Sequence, residues 1–197
     1  EQLSQKDKQI EMLMEQNKQQ TEVFTNTIKD MIPKMGNNNN NTTNKFNINI
    51  FLNEECKDAI NMSDFIKSIH ISIDELYFIT NNGLGKGLTK IILDNINKLN
   101  KNERPLHCCG ITKQIIYIKD NDKWDIDINL SKIKYLINKI SNKNYTALCD
   151  WTRENPNFMK RDDKQNFYAR TASTIGKPIC DIEEKIIREI CRVIPIK

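Results

Sequence analysis

Apolar residues are sparse and regular at the start of this chain, and dense and mixed after about residue 45. Leu3, Ile10, Asn17, Phe24 and Met31 recur every seven residues, and Asp7, Met14, Thr21, Ile28 and Met35 follow four positions later in each repeat. Two seams at that spacing predict a coiled coil of about four heptads. Residues 2–32 hold no Gly or Pro and are rich in Gln, Glu and Lys, all good helix formers. A helix that is polar all round except for one narrow stripe gains stability by packing that stripe on another copy of itself. The expected oligomerisation residues are Leu3, Ile10, Met14, Asn17, Thr21, Phe24, Ile28 and Met31. The expected assembly is a homo-oligomer of two to four chains. The polar Asn17 and Thr21 weaken such a zipper and specify its register.

Pro33, Gly36 and the run Asn37–Asn41 then interrupt the pattern. Pro and Gly end helices, and the asparagine run has the low complexity of a hinge. The expected organisation is a coiled-coil stalk over 1–35, a flexible linker over 36–45 and a folded head over 46–197.

Within the head, Phe46, Ile48 and Ile50 alternate with Asn47 and Asn49, which predicts a strand. A helix is expected from Asp58 or Asn61 to Ile71, then a short helix or strand from Asp74 to Thr80, and a turn at Asn81-Asn82-Gly83. Leu84 to Leu99 is the clearest helix, with Leu88, Ile91, Ile92, Ile96 and Leu99 on one face. The β-branched run Ile111–Lys119, the turn Asp120-Asn121-Asp122 and the return Lys123–Ile128 predict a β-hairpin. Further helices are expected over Leu130–Ile140, Tyr145–Glu154 and Gln165–Ile175. A last one, capped by Asp181, is expected to run to Arg192. The predicted class is α+β: a mainly helical head with a β-hairpin, preceded by an N-terminal coiled-coil helix.

Composition changes this picture little. Net charge is +4 over 197 residues: five lysines stand against six acids before residue 37, and 25 basic against 20 acidic residues after it. That surplus on the head permits an acidic partner without requiring one. Asn, Ile and Lys are used heavily, as in an AT-rich coding sequence, so single Asn and Lys residues carry little functional weight. The six cysteines, with no apolar leader segment and no stretch long enough to cross a membrane, point to free thiols in a reducing, intracellular setting.

One stretch is specific enough to suggest kinship. The run Phe51-Leu52-Asn53-Glu54-Glu55-Cys56-Lys57-Asp58-Ala59-Ile60-Asn61-Met62-Ser63-Asp64-Phe65-Ile66 is followed by Arg104-Pro105-Leu106-His107-Cys108 and by Tyr117-Ile118-Lys119-Asp120-Asn121 with Trp124. Over most of residues 45–145 it resembles the C-terminal domain of a family of proteins from nucleocytoplasmic large DNA viruses, the giant viruses. That resemblance implies a virus-encoded protein associated with nucleic acid. It also implies an N-terminal two-Cys, two-His zinc finger ahead of the coiled coil, which this sequence does not contain. No catalytic residue is implied. The expected location is the host cytoplasm, viral factory or virion.

Candidate chemistry is thin. His107 and Cys108 are the best metal-ligand candidates, with Cys56 or Cys149 as remote partners, but no CxxC or HxxxH pair is present and a buried thiol cluster is the simpler expectation. Cys108 as a nucleophile would need His107 or His70 beside it in space and a third group to orient the pair. Gly83, Gly85, Lys86, Gly87 and Thr89 open a helix, but the order is not that of a phosphate loop. Helix 84–99 followed by a hairpin invites comparison with a winged helix. In that reading Lys86, Lys90 and Lys98, with Lys119 and Lys123 on the hairpin, would contact nucleic acid. The overall expectation is a non-enzymatic, cofactor-free homo-oligomer whose stalk presents heads for interaction, in a DNA-associated regulatory role. The alternatives are a scaffold protein of virion or factory, whose heads bind protein, and an enzyme of unspecified type.

Overall fold

The structure, a computed structural model, describes residues 47–110 and 115–196. The chain divides into two units, Glu1–Ile48 and Asn49–Lys197, and the account below concerns the second. The predicted stalk and linker, with Leu3, Ile10, Met14, Asn17, Thr21, Phe24, Ile28 and Met31, lie outside the described residues.

Chain entry is helical. A short helix α1 (Ile48–Ile50) runs into a π-helical turn, Phe51–Glu55. The strand expected from Phe46, Ile48 and Ile50 is therefore not formed at Ile48–Ile50. Three alternating residues are too few to outweigh tertiary packing, and Phe51, Leu52 and Cys56 instead turn inward.

Three helices follow: α2 (Met62–Ser68), α3 (Ile73–Asn82) and α4 (Leu84–Asn97). Helix α3 is set by a capping box that the sequence carries openly as Ser72-Ile73-Asp74-Glu75. Glu75 N–H donates to Ser72 Oγ at 3.3 Å, and Ser72 N–H donates back to Glu75 Oε2 at 2.6 Å. Gly83 alone joins α3 to α4, at φ 89°, a left-handed conformation that favours glycine. The two helices fold back on each other and meet at Gly87. A Cβ on Gly87 would lie 2.1 Å from Ile79 Cγ1. The glycines that invited comparison with a phosphate loop thus serve a turn and a close helix contact.

The sheet has three antiparallel strands in the order β1-β2-β3: β1 (Leu106–Cys109), β2 (Ile115–Asp120) and β3 (Lys123–Ile126). The predicted hairpin is β2–β3. Asp120 pairs with Lys123, so the turn is the two residues Asn121 and Asp122, at φ 49° and 59°. Two positive φ values make a type I′ turn, whose twist matches that of its flanking strands, and Asn and Asp tolerate them best after Gly. Strand β1 escaped the sequence reading because four residues carry almost no period. Its outer edge is covered: Cys108 N–H donates to Ile194 O at 2.8 Å, and Ile196 N–H donates to Cys108 O at 2.9 Å.

Helix α5 (Ser131–Glu154) is continuous over 24 residues, where the sequence suggested two helices, 130–140 and 145–154. The polar stretch between them is used in tertiary contacts. Ser141 and Asn144 are buried on the same stripe as Ile137, Ile140 and Leu148, and Lys143 reaches across to α2. Helices α6 (Asp162–Ile175) and α7 (Glu183–Val193) complete the fold. Asp181 does not cap α7; it accepts from Cys180 Sγ at 3.4 Å, and α7 begins without a side-chain cap. One apolar core runs through helices α2 to α7 and one sheet face, from Phe65 and Leu88 to Leu136, Ile187 and Ile118.

Candidate functional site

Helix α2, the end of β2 and the first turns of α5 enclose a groove of 330 Å³. It is mostly apolar and lined by Met62, Ser63, Ile66, Asp120, Ser131, Lys132 and Tyr135. That volume is at the low end of the range for ligand-binding sites, roughly 300–1,000 Å³. Local chemistry fixes each wall. At the start of α2, Asn61 Nδ2 donates to Asp122 Oδ1 at 3.0 Å while Asp122 N–H donates to Asn61 Oδ1 at 2.8 Å, tying the hairpin tip to the helix. At its end, Lys143 Nζ donates to Ile66 O and Ile69 O, both at 2.6 Å, and to Lys67 O at 3.2 Å. A cation on the last carbonyls of a helix also complements its dipole. Desolvation lowers the Lys143 pKa from its ordinary value.

The third wall is the start of α5. Leu130 precedes it in a left-handed conformation, φ 55°. Asp127, itself buried, takes the free N–H groups: Oδ2 accepts from Ile133 N–H at 2.8 Å, and Oδ1 from Lys132 N–H at 3.1 Å. That helix end is therefore already satisfied by a carboxylate and offers no vacant anion site. Tyr135 stands at the groove with 55% of its surface exposed. Asp120 lines the groove with one carboxylate oxygen, Oδ1, buried and without a hydrogen-bond donor.

A second cluster occupies the other face of the sheet. Successive strand residues alternate sides, so His107, Tyr117, Lys119 and Trp124 share one face, while Leu106, Cys108, Ile116 and Ile118 face the helical core. His107 is fully buried. Its Nε2 lies 3.6 Å from Cys56 Sγ, its ring packs edge-on against Phe51 at 5.1 Å, and it lies 5.6 Å from Trp124. Burial pushes the His107 pKa down to about 4, with Lys101 and Arg104 adding to the effect. Burial, and then Glu55, pushes the Cys56 thiol up to about 11. At neutral pH the pair is thiol and imidazole, the opposite of the thiolate and imidazolium that a cysteine nucleophile needs.

Of the two metal candidates, His107 meets Cys56, while Cys108 points to the opposite face. There Cys108 hydrogen-bonds with Cys191 from α7; that bond first, and burial second, raise its pKa. Among the described residues no group of three or more His, Cys, Asp and Glu side chains is placed to hold a metal. Cys149 and His70 are exposed.

The lysines selected from the sequence differ in their surroundings. Lys119 is buried, and its ammonium donates to the Lys57 carbonyl. Lys90 pairs with Asp94, and Lys98 donates to Asn95 Oδ1 at 3.1 Å. Lys86 and Lys123 are exposed. The sequence did not single out the groove residues. Tyr135 was the available signal, since an aromatic off the buried stripe Ile133, Leu136, Ile137 and Ile140 has no place in the core.

Compared with protein-family models, with curated proteins and with solved structures, the chain gives no match. Among the described residues no helix is long and apolar enough to cross a membrane.

Proposed function

We propose that this is a non-enzymatic recognition protein whose head binds a polypeptide segment in the groove between α2, the hairpin and α5. The observation that supports this most directly is the groove itself: three elements clamped together by Asn61, Asp122 and Lys143, an apolar floor, and an exposed Tyr135. Exposed aromatics beside buried apolar surface are favoured contact points in protein recognition. In this reading residues 1–35 gather two to four chains. Modest single-site binding then becomes avidity for a partner with several copies of the recognised segment. The resemblance to the giant-virus family would put that partner in the viral factory or virion.

The test begins with random peptides displayed on phage and selected against the full chain. Ser63 is exposed on α2, so Ser63→Trp fills the groove without disturbing the core, and Tyr135→Ala removes its exposed aromatic. The selected peptides are expected to lose about tenfold or more in affinity with either variant, on the scale of an interface hot spot. Undiminished binding to both variants refutes the reading. Random duplex DNA is titrated in parallel across a salt series. Tight binding with a steep salt slope, reduced by charge reversal at Lys86 and Lys123, would return the head to the nucleic-acid class.

A further inference from the structure

We infer that the outer edge of β3 pairs with the same edge of a second copy of this chain, antiparallel, with Trp124 opposite Trp124. The inference does not depend on the groove. In an antiparallel sheet, successive residues turn their N–H and C=O groups to opposite neighbours. Lys119 N–H donates to Pro105 O at 2.8 Å, toward β1, and Asp127 N–H donates to Ile116 O at 2.8 Å, toward β2. Counting by twos from those bonds, Lys123 and Asp125 also turn their backbone groups to β2. Trp124 and Ile126 therefore turn theirs to the outer edge. The same count on β1 places Cys108 outward, where Ile194 and Ile196 pair with it. Trp124 and Ile126 have no such cover: among the described residues, neither backbone has a hydrogen-bond partner on that edge.

An open strand edge is a template for another extended chain, and charged side chains are a usual protection against that. Strand β3 carries Lys123 and Asp125, both exposed. Charges of one sign would repel a second copy. Here the signs are opposite and the residues are two apart, so both lie on one face of the sheet. With Trp124 opposite Trp124, Lys123 of each copy stands opposite Asp125 of the other, and the two-fold symmetry makes that contact twice. The neighbouring register, Trp124 opposite Ile126, sets Asp125 against Asp125 and is disfavoured. An edge of this kind takes a basic-x-acidic strand, and Lys123-Trp124-Asp125 is itself one.

Neighbours in the same chain leave these charges available. Lys123 has Asp120 across the hairpin, but among the described residues it forms no ion pair. Asp125 reaches Lys132 at 3.4 Å and keeps 55% of its side chain exposed. In the pair, each Trp124 gives its N–H to the carbonyl of the other, and the two three-stranded sheets become one, β1-β2-β3-β3-β2-β1. Two backbone hydrogen bonds and two exposed ion pairs make a weak contact. It suits heads already gathered by the proposed stalk, because a short tether supplies an effective concentration of about 1 mM.

Amide hydrogen exchange, followed by NMR on the full chain at about 1 mM, tests the pairing. Trp124 N–H should exchange about tenfold or more slowly than an open amide. Ile126 N–H should stay fast, because opposite it stands Asp122 of the second copy, a turn residue at φ 59°. That comparison needs no variant. Lys123→Asp and Asp125→Lys each set like charges against one another and should return Trp124 to fast exchange. The two together swap the signs and should restore the protection. Contacts within one chain cannot produce that rescue, since the swap opposes like charges at Asp120 and at Lys132. The inward N–H at position 125 reports that the hairpin is folded in every variant. Fast exchange at Trp124 in the parent overturns the inference, as does protection that persists in either single variant. Failure of the double variant to restore it does the same. Protection of Trp124 and Ile126 together would assign the edge to another register or another extended segment, and overturns it too.

Discussion

Helices α3 and α4 approach so closely that the same substitution, made two residues apart, should change sign. Gly85 and Gly87 both lie in the first half of α4, and glycine in a helix interior costs about 1 kcal/mol relative to alanine. With nothing else at stake, each Gly→Ala change would therefore stabilise the head by that amount. At Gly85 a new Cβ would meet Ile182 side-chain atoms at 3.6–3.8 Å, an ordinary contact. At Gly87 it would lie 2.1 Å from Ile79 Cγ1 and 3.2 Å from two further atoms of the same side chain. Carbon atoms in contact settle at about 3.5–4.0 Å, so Ile79 would have to retreat by well over an ångström. It has no space for that, being fully buried in the core beside Leu76 and Leu88. Overpacking of this kind costs about 1–3 kcal/mol, occasionally more. Against the gain in helix propensity, Gly87→Ala should lose up to about 2 kcal/mol, while Gly85→Ala should gain up to about 1 kcal/mol. Urea denaturation of both variants measures the difference. Ile79→Ala removes the colliding carbons at its own cavity cost, so the double variant with Gly87→Ala should be more stable than the sum of the two single losses. A Gly87→Ala protein at least as stable as the parent would refute the close approach of α3 and α4.

Two further outcomes follow from buried polar groups. His107 is neutral in the fold, with its pKa at about 4 against an ordinary 6.5. Above pH 6.5 folded and unfolded chains both hold it uncharged, so it adds no pH dependence there. Between 6.5 and 4 only the unfolded chain takes up the proton, so stability falls by on the order of 3 kcal/mol. His107→Phe should flatten that part of the pH profile in denaturation midpoints, and parallel profiles would show that His107 protonates in the fold. Asn144 has both side-chain polar atoms, Oδ1 and Nδ2, buried without a hydrogen-bond partner. Asn144→Leu, similar in shape and apolar, should stabilise the head by about 1–3 kcal/mol. Calorimetry showing a lower melting temperature would mean that the amide has partners a leucine cannot replace.

How much was legible beforehand divides along local lines. Helix α4 was readable because Leu88, Ile91, Ile92 and Ile96 hold a helical period over several turns, and the hairpin because a β-branched run and its return flank the turn residues Asn121-Asp122. Helix α6 ended at Gly176, as its glycine suggested. Ile48–Ile50 misled because its alternation is too short to withstand packing, and β1 was hidden for the same reason of length. The break expected inside α5 fell on the polar stretch between Ile140 and Tyr145. There Ser141 and Asn144 are buried and Lys143 donates to the carbonyls at the end of α2, and only the folded neighbours reveal that.

The sequence by itself determined the class of the head, since amphipathic periods and turn residues act within a few residues of each other. It also carried the expectation of a stalk, which rests on its heptads alone. Tertiary structure alone decided the site. Asp120, Tyr135, Ser63 and Ile66 come from three separate elements, and nothing in their spacing marks them as neighbours. Tertiary structure also decided the meaning of the charged and reactive residues. Lys119 is drawn inside by a carbonyl, and His107 and Cys56 are neutralised by burial. Desolvation and hydrogen bonding depend on what surrounds a group in space, and no local pattern encodes that.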